Sequence, residues 1–233
     1  MKKYEKYKDS GVEWIGEIPE HWTANKVKHN FNFKTGFTPP SGKNEYYENG
    51  KHVWINISDL QEKDVSDSVN KITDKAIEDY NPSIVPIGSL LYSFKLSVGR
   101  VGFNLVECYT NEAIFSIEPD GVTNLGFFYY SLPEQIIKNA NENIYGAKIL
   151  NQELIKNAIL VIPPPHEQTA IAVYLDHKTS EIDQLVCGDF MRGVWRQPSP
   201  RAASDSSATE ASDSFTACQV AEPRQGNRAA ECR

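Results

Sequence analysis

Cysteine is scarce in this sequence, and Cys108, Cys187, Cys218 and Cys232 include no pair at zinc-ligand spacing. The pattern offers neither a disulfide framework nor a zinc ribbon, and it fits a reducing, cytoplasmic setting. Long apolar runs are missing as well. No twenty-residue hydrophobic stretch and no charged, apolar, small-residue leader occurs, so neither membrane insertion nor export is expected. An excess of positive charge is also lacking: 24 Lys and Arg face 31 Asp and Glu, a net charge of −7. The imbalance lies wholly before Cys187, since the residues beyond Val186 are balanced. Bulk electrostatics will not hold such a chain on a duplex. Any phosphate binding must come from local loops or from a partner.

Catalytic signatures are equally thin. His166-Glu167 lacks the second histidine of a zinc-protease helix, and no Gly-x-x-x-x-Gly-Lys-Ser/Thr phosphate loop occurs. A methyltransferase cofactor loop and a nuclease carboxylate cluster are absent too. Asp59 reads as a local turn former, with no second carboxylate or histidine spaced for acid–base work. No catalytic residue, metal ligand or cofactor is expected.

What the sequence does have is apolar mass, 40% hydrophobic and 11% aromatic residues, enough for a core. The organising stretch is Val161–Val186. Pro163, Pro164 and Pro165 end a strand-like run, Ile159–Ile162, and can open a helix, because a first-turn proline loses no hydrogen bond. Glu167 then suits the positive end of the helix dipole. Ile171, Leu175, Ile182 and Leu185 recur at spacings of four, seven and three, a coiled-coil type seam interrupted by Lys178. That seam needs a partner.

Upstream, residues 1–22 read as an extended arm anchored by Trp14, Ile15, Ile18 and Trp22, because Gly11, Gly16 and Pro19 exclude a long helix. Lys26–Thr35 reads as a strand alternating Val27, Phe31 and Phe33, followed by the turn-rich Gly36–Lys43 loop. That loop region carries Lys34, Thr35, Thr38, Ser41 and Lys43; it can meet phosphate or simply be solvated. Val53–Leu60 reads as a strand with Asn56 and Ser58 on one face. A short helix capped at Thr73, a buried strand through Leu90–Ser93 and a strand Tyr109–Ile117 follow. Lys95 and Arg100 flank the flexible Gly99 and are the foremost contact candidates. An aromatic-rich core helix spans Leu125–Ala140, with Pro133 placed to kink or restart it. Lys148, after Gly146, is a further candidate phosphate contact, and Gln152–Asn157 is a last short helix.

Several of these segments match one family. Ser-Gly-x-x-Trp-Ile-Gly-x-Ile-Pro-x-x-Trp (from Ser10), Gly-x-Thr-Pro (from Gly36), Trp-Ile-x-x-x-Asp-Leu (from Trp54) and Pro-x-Gly-Ser-Leu-Leu (from Pro86) are four of them. The fifth is Ile-Pro-x-Pro-x-Glu-Gln-x-x-Ile-x-x-x-Leu, from Ile162, ending in Glu-Ile-Asp. Over roughly residues 4–186 the chain resembles the specificity subunits of type I restriction–modification systems. Where the family's glycine loop carries small hydroxyl residues, this chain has Ala147 and Lys148, which weakens that loop's DNA role here.

The resemblance implies a non-catalytic DNA-recognition subunit. Separate methylation and DNA-cleaving subunits would bring the chemistry, with S-adenosylmethionine, ATP and magnesium that this chain does not bind. The expected fold is α+β: a mixed, mostly antiparallel sheet with short helices, then one protruding helix and a disordered tail. Residues 1–22 form the arm, 23–165 the target recognition domain, and 166–186 the start of a spacer helix. Residues 187–233, poor in large apolar residues, form a tail foreign to the family. A specificity subunit carries two recognition domains and this sequence carries one, so a homodimer through the spacer helix is expected on double-stranded DNA. The alternative is a protein-interaction module, or a degenerate fragment, that reads no DNA.

Overall fold

The computed structural model describes residues 4–95, 97–142 and 148–191. The chain divides into two units, residues 1–188 and 189–233. The expected disordered tail, from residue 192 on, and the loop around Gly146 lie outside the described residues. Five α-helices form among those described: α1 (Val27–Asn30), α2 (Asp74–Tyr80), α3 (Leu125–Ile137), α4 (Gln152–Asn157) and α5 (Pro165–Met191). No helix among them is long and apolar enough to cross a membrane.

The α+β architecture is centred on a five-stranded sheet. Its strands run Phe33–Thr35, Ile114–Ile117, Leu90–Ser93, Val101–Asn104 and Asp64–Val65 in spatial order. Neighbours are antiparallel except the last pair. The apolar run Leu90-Leu91-Tyr92 is continuous because both faces of its strand are covered, so alternation would leave a face badly matched. On one face Leu90, Tyr92, Phe115 and Ile117 pack with Phe127, Phe128, Leu132 and Ile136 of α3. On the other, Leu91 and Ile114 meet Ile55, Leu60, Val65 and Val85. Each such fully buried side chain contributes roughly 1.5–3 kcal/mol relative to exposure. Burial also pushes the Cys108 thiol up to about 12, which leaves it a small apolar core residue.

A smaller sheet, Tyr109–Thr110, His52–Ile55 and Lys71–Ile72, joins beside the first. Its parallel pairing sets Trp54 against Tyr109 and Ile55 against Thr110. Thr23–Lys26 and Ile159–Ile162 pair antiparallel, Thr23 opposite Ile162 and Lys26 opposite Ile159. The domain is thereby entered and left at one place.

Helix starts agree closely with the sequence. The Thr73 hydroxyl accepts from the Ala76 amide, Asn124 Oδ1 from Phe127 N (3.0 Å), and Asn151 Oδ1 from Leu154 N (2.8 Å). Helix α3 continues through Pro133 without a restart.

Three expected strands are interrupted. Lys26–Thr35 is not one strand: Val27–Asn30 makes a single helical turn that buries Val27, and the strand resumes at Phe33. Tyr109–Ile117 splits into two strands around Asn111–Ala113, which serve two different sheets. The strand expected at Val53–Leu60 stops at Ile55. Asn56 then precedes a 3₁₀ turn, Ile57–Asp59, in which Asp59 Oδ2 accepts from the Asn56 amide at 2.8 Å. Asp59 is the turn former expected, but Asn56 and Ser58 share no strand face. The side-chain bond available to Asp59 outcompeted the ladder.

The N-terminal arm is a hairpin, Tyr7–Asp9 with Glu17–Pro19. Ile18 is buried, whereas Trp14 stays 41% exposed and anchors nothing inside. Helix α5 remains helical through Met191, beyond the break expected after Val186.

Candidate nucleic-acid interface

Strand register, more than any local motif, gathers the candidate residues. Thr35 pairs with Phe115, Ser93 with Ile114, and Tyr92 with Val101. The chain therefore leaves Thr35, leaves Ser93, enters Ile114 and enters Val101 at the same end of the large sheet. The small sheet ends there too, at Asn56 and Asn111. Thr38, Asn56, Lys95, Arg100, Asn111 and Glu112 form one rim, contributed by four separated segments.

The rim is built tightly. Gly36 donates to Ile114 O, and Phe37 N donates to Thr110 O at 2.9 Å. A Cβ on Gly36 would lie 1.8 Å from Thr110 O, which only glycine avoids. Trp54 Nε1 donates to Phe37 O at 3.0 Å, pinning the loop base from below. Asn111 N donates to Ile55 O (3.0 Å), and Asn111 Nδ2 donates to Asn56 Oδ1 (3.2 Å). Gly99, at φ +92°, reverses the chain between Lys95 and Arg100, and the Ser93 hydroxyl accepts from Arg100 N at 3.0 Å.

Glu112 sits at the centre of the rim. The Thr38 hydroxyl donates to its Oε2, and Lys95 Nζ stands 3.9 Å from its Oε1. Burial alone would raise this carboxyl; the Thr38 hydroxyl, a backbone amide and the Lys95 ammonium outweigh it and hold the pKa below the ordinary range. Glu112 is ionised. Arg100 is half-buried, and its guanidinium has no hydrogen bond or ion pair among the described residues.

Other candidates stand apart from this rim. Lys34 points toward the opposite end of its strand, 2.8 Å from Glu118 Oε1. Lys43 lies over the Tyr46 ring at 5.5 Å and 4.0 Å from Glu45. Thr35 is at the rim's edge, where its hydroxyl accepts from Gln152 Nε2 at 3.2 Å. Ser58 is exposed on the 3₁₀ turn, its carbonyl capped by the Gln61 amide. Lys148 lies in a separate two-stranded ladder opposite Glu142. Sequence reasoning missed Asn111 and Glu112; two adjacent polar residues inside an apolar strand were the available signal.

A second site lies at the base of α5. Glu167 accepts from Tyr4 OH (2.7 Å), Trp22 Nε1 (3.0 Å) and His21 Nε2 (2.5 Å), with His166 Nε2 at 3.8 Å. The glutamate of the Pro-x-x-Glu-Gln element thus ties the arm to the helix. Gln168 beside it, buried, donates to Pro163 O at 2.8 Å and closes the proline turn. Burial would raise Glu167, yet donation from Tyr4, His21 and Trp22 prevails and lowers it. A depressed folded-state pKa means this clamp is fully present above the ordinary carboxylate value of 4.5 and weakens as pH falls through the folded value. The Trp22 indole N–H is therefore expected, by NMR, to become solvent-accessible only at a pH below the ordinary carboxylate value of 4.5. In Glu167→Gln that acid step should vanish; its persistence would assign it to another group.

Further along α5, Lys63 and Tyr130 both reach Asp176 Oδ1, the latter at 2.6 Å, and Ile171 and Ala172 pack on the core. The seam expected from Ile171 to Leu185 thus divides. Ile171 and Leu175 lie half-covered on their own domain, while Ile182, Leu185 and Val186 are 57%, 63% and 65% exposed. No group of three or more His, Cys, Asp or Glu among the described residues could hold a metal ion.

Comparison with known proteins bears on what this arrangement does. The type I restriction modification DNA specificity domain model matches residues 19–185. The type I restriction enzyme MjaIX specificity subunit of Methanocaldococcus jannaschii is 28% identical over 170 residues, 70% of this chain and 39% of its own length. The crystal structure of the HsdS subunit from Thermoanaerobacter tengcongensis aligns with a TM-score of 0.56 at 18% identity, over 77% of this chain and 41% of that one. A chain from a study of complex assembly and conformational transition in the type I R-M system gives 0.57 at 17% identity, over 77% and 42%. The two structural likenesses show a shared fold, and the chain spans about two fifths of the length of these relatives. The match across residues 19–185 runs from the end of the arm hairpin into α5 and takes in the whole rim; this chain belongs to the type I restriction–modification DNA specificity domain family.

Proposed function

We propose that this chain is a non-catalytic, sequence-specific DNA-recognition domain that reads one half of a target site and works with type I methylation and DNA-cleaving subunits. The observation that carries the reading is the convergence of Thr38, Asn56, Lys95, Arg100 and Asn111 on one rim from four separated segments. The side chains there are hydroxyls, amides and cations, which suit base edges and phosphates. Lys34, Lys43 and Lys95 each face an acid, so binding exchanges intramolecular for intermolecular partners instead of drawing on net positive charge. Attraction to unrelated sequences stays weak, and the methylation subunit supplies much of the backbone hold.

Neutralising Lys95 is expected to weaken all sequences alike and to flatten the salt dependence of binding by about one unit of slope. Arg100→Gln, if the guanidinium reads a guanine, should cost about 1–3 kcal/mol at one base position alone. Equilibrium binding across a salt series, with the chain assembled on its methylation subunit, separates the two. No change from either variant would move the DNA-facing surface elsewhere.

Docking falls to α5. At about 1.5 Å per residue its 27 residues span roughly 40 Å, and its last turns carry the uncovered Ile182, Leu185 and Val186. Two copies pairing through that face about a two-fold axis would present identical rims to identical half-sites. The predicted target is then an interrupted palindrome. Methylation mapping in cells co-expressing this chain with a methylation subunit tests it, and an asymmetric site would rule the pairing out.

A further inference from the structure

A carboxylate is an odd occupant of a DNA-facing rim. Glu112 is 51% exposed there, ionised, and displayed by a rigid turn: Asn111 N donates to Ile55 O, Ala113 N to Asn111 Oδ1 (3.1 Å), and Phe94 N to Ala113 O (2.9 Å). Like charge bars it from phosphates. An ionised carboxyl group is acceptor-only, with about four lone-pair directions. Thr38 occupies one on Oε2 and Lys95 faces Oε1, so directions remain for an incoming donor. In the major groove the base edges offer donors only at the exocyclic amino groups, cytosine N4 and adenine N6; guanine O6 and N7 and thymine O4 are acceptors and repel a carboxylate.

We propose that Glu112 is a specificity-determining residue that accepts a hydrogen bond from the exocyclic amino group of one base in the recognised site. Thr38 aims the carboxylate, and Lys95 cancels its charge so that neighbouring phosphates can approach. This inference rests on the rim being the DNA-reading surface. It goes further by assigning the acid, a residue type that general phosphate affinity cannot explain, to a base edge. The three residues act as one unit: a donor that fixes the acceptor, the acceptor, and a counter-ion.

The test uses the full chain co-expressed with a type I methylation subunit, with methylated positions mapped for the unaltered chain, Glu112→Gln, Glu112→Ala and Lys95→Gln. In the unaltered chain one position of the site should be fixed as cytosine or adenine. Glu112→Gln, which adds amide donors, should admit guanine or thymine at that position, and Glu112→Ala should relax it altogether. The preference there should fall by about tenfold to a hundredfold, with the other positions unchanged. An unchanged motif in both Glu112 variants would overturn the inference, as would a uniform gain of binding to every sequence, the mark of a simple electrostatic brake. Lys95→Gln separates the two levels. If it weakens all sequences while the Glu112 variants leave the motif intact, the rim faces DNA and only the role of Glu112 fails. If neither it nor the Glu112 variants change anything, the rim itself is wrong and the inference falls with it.

Discussion

Gly36→Ala is expected to abolish DNA recognition at a cost in stability of about 1–3 kcal/mol, the range for an overpacked interior site. The added methyl group would lie 1.8 Å from Thr110 O and 2.4 Å from its hydroxyl oxygen, and neither backbone can yield without breaking a bond that seats the loop. Phe37 N donates to that same carbonyl, and Trp54 Nε1 donates to Phe37 O. Pushing the loop away releases both. Thr38 would swing out with it and leave Glu112. The check is paired: urea denaturation for stability, and binding of cognate DNA in the assembled complex. A variant that stays as stable and binds as well would show that the loop has room the structure does not grant it.

The second large effect belongs to α5. Ile182→Asp with Leu185→Asp should leave the domain folded and as stable as before, because both side chains are more than half exposed and touch no core residue. Assembly should be lost, whether self-association or binding to the methylation subunit, as measured by light scattering and co-purification. Leu175 is a poorer probe because it lies half-covered on its own domain, so its replacement would mix folding with docking. Unchanged assembly in the double variant would show that α5 is not the docking face.

How much of this was legible in the sequence varies with the physics that decides each part. Helix starts were readable because a cap is local: Thr73, Asn124 and Asn151 each bond an amide three residues on. The closing strand, the proline turn and α5 were readable because proline removes alternatives. Strand interruptions were not. Val27 and Phe31 alternate as well in one helical turn as in a strand over so few residues, and burial against α3 and α4 decided between them. Asn111 and Glu112 were passed over because their importance comes from two sheets ending side by side, a fact of register between segments 55 residues apart. Lys34 and Lys43 looked like the rest of the rim but answer to Glu118 and Glu45. The Lys34–Glu118 pair, 84 residues apart, leaves no mark in sequence order, whereas Lys43 and Glu45 are near neighbours in it.

The pairing of Thr23–Lys26 with Ile159–Ile162 carries a consequence for how such a protein can change. Everything that forms the rim is strung between those two strands, whereas the Glu167 clamp and the exposed face of α5 lie outside them. The segment between is a cassette with adjacent ends. Under the proposed function, exchanging it for a homologous one would alter the sequence read and leave assembly untouched, and new specificities would then be acquired by recombination at two short, structurally matched borders.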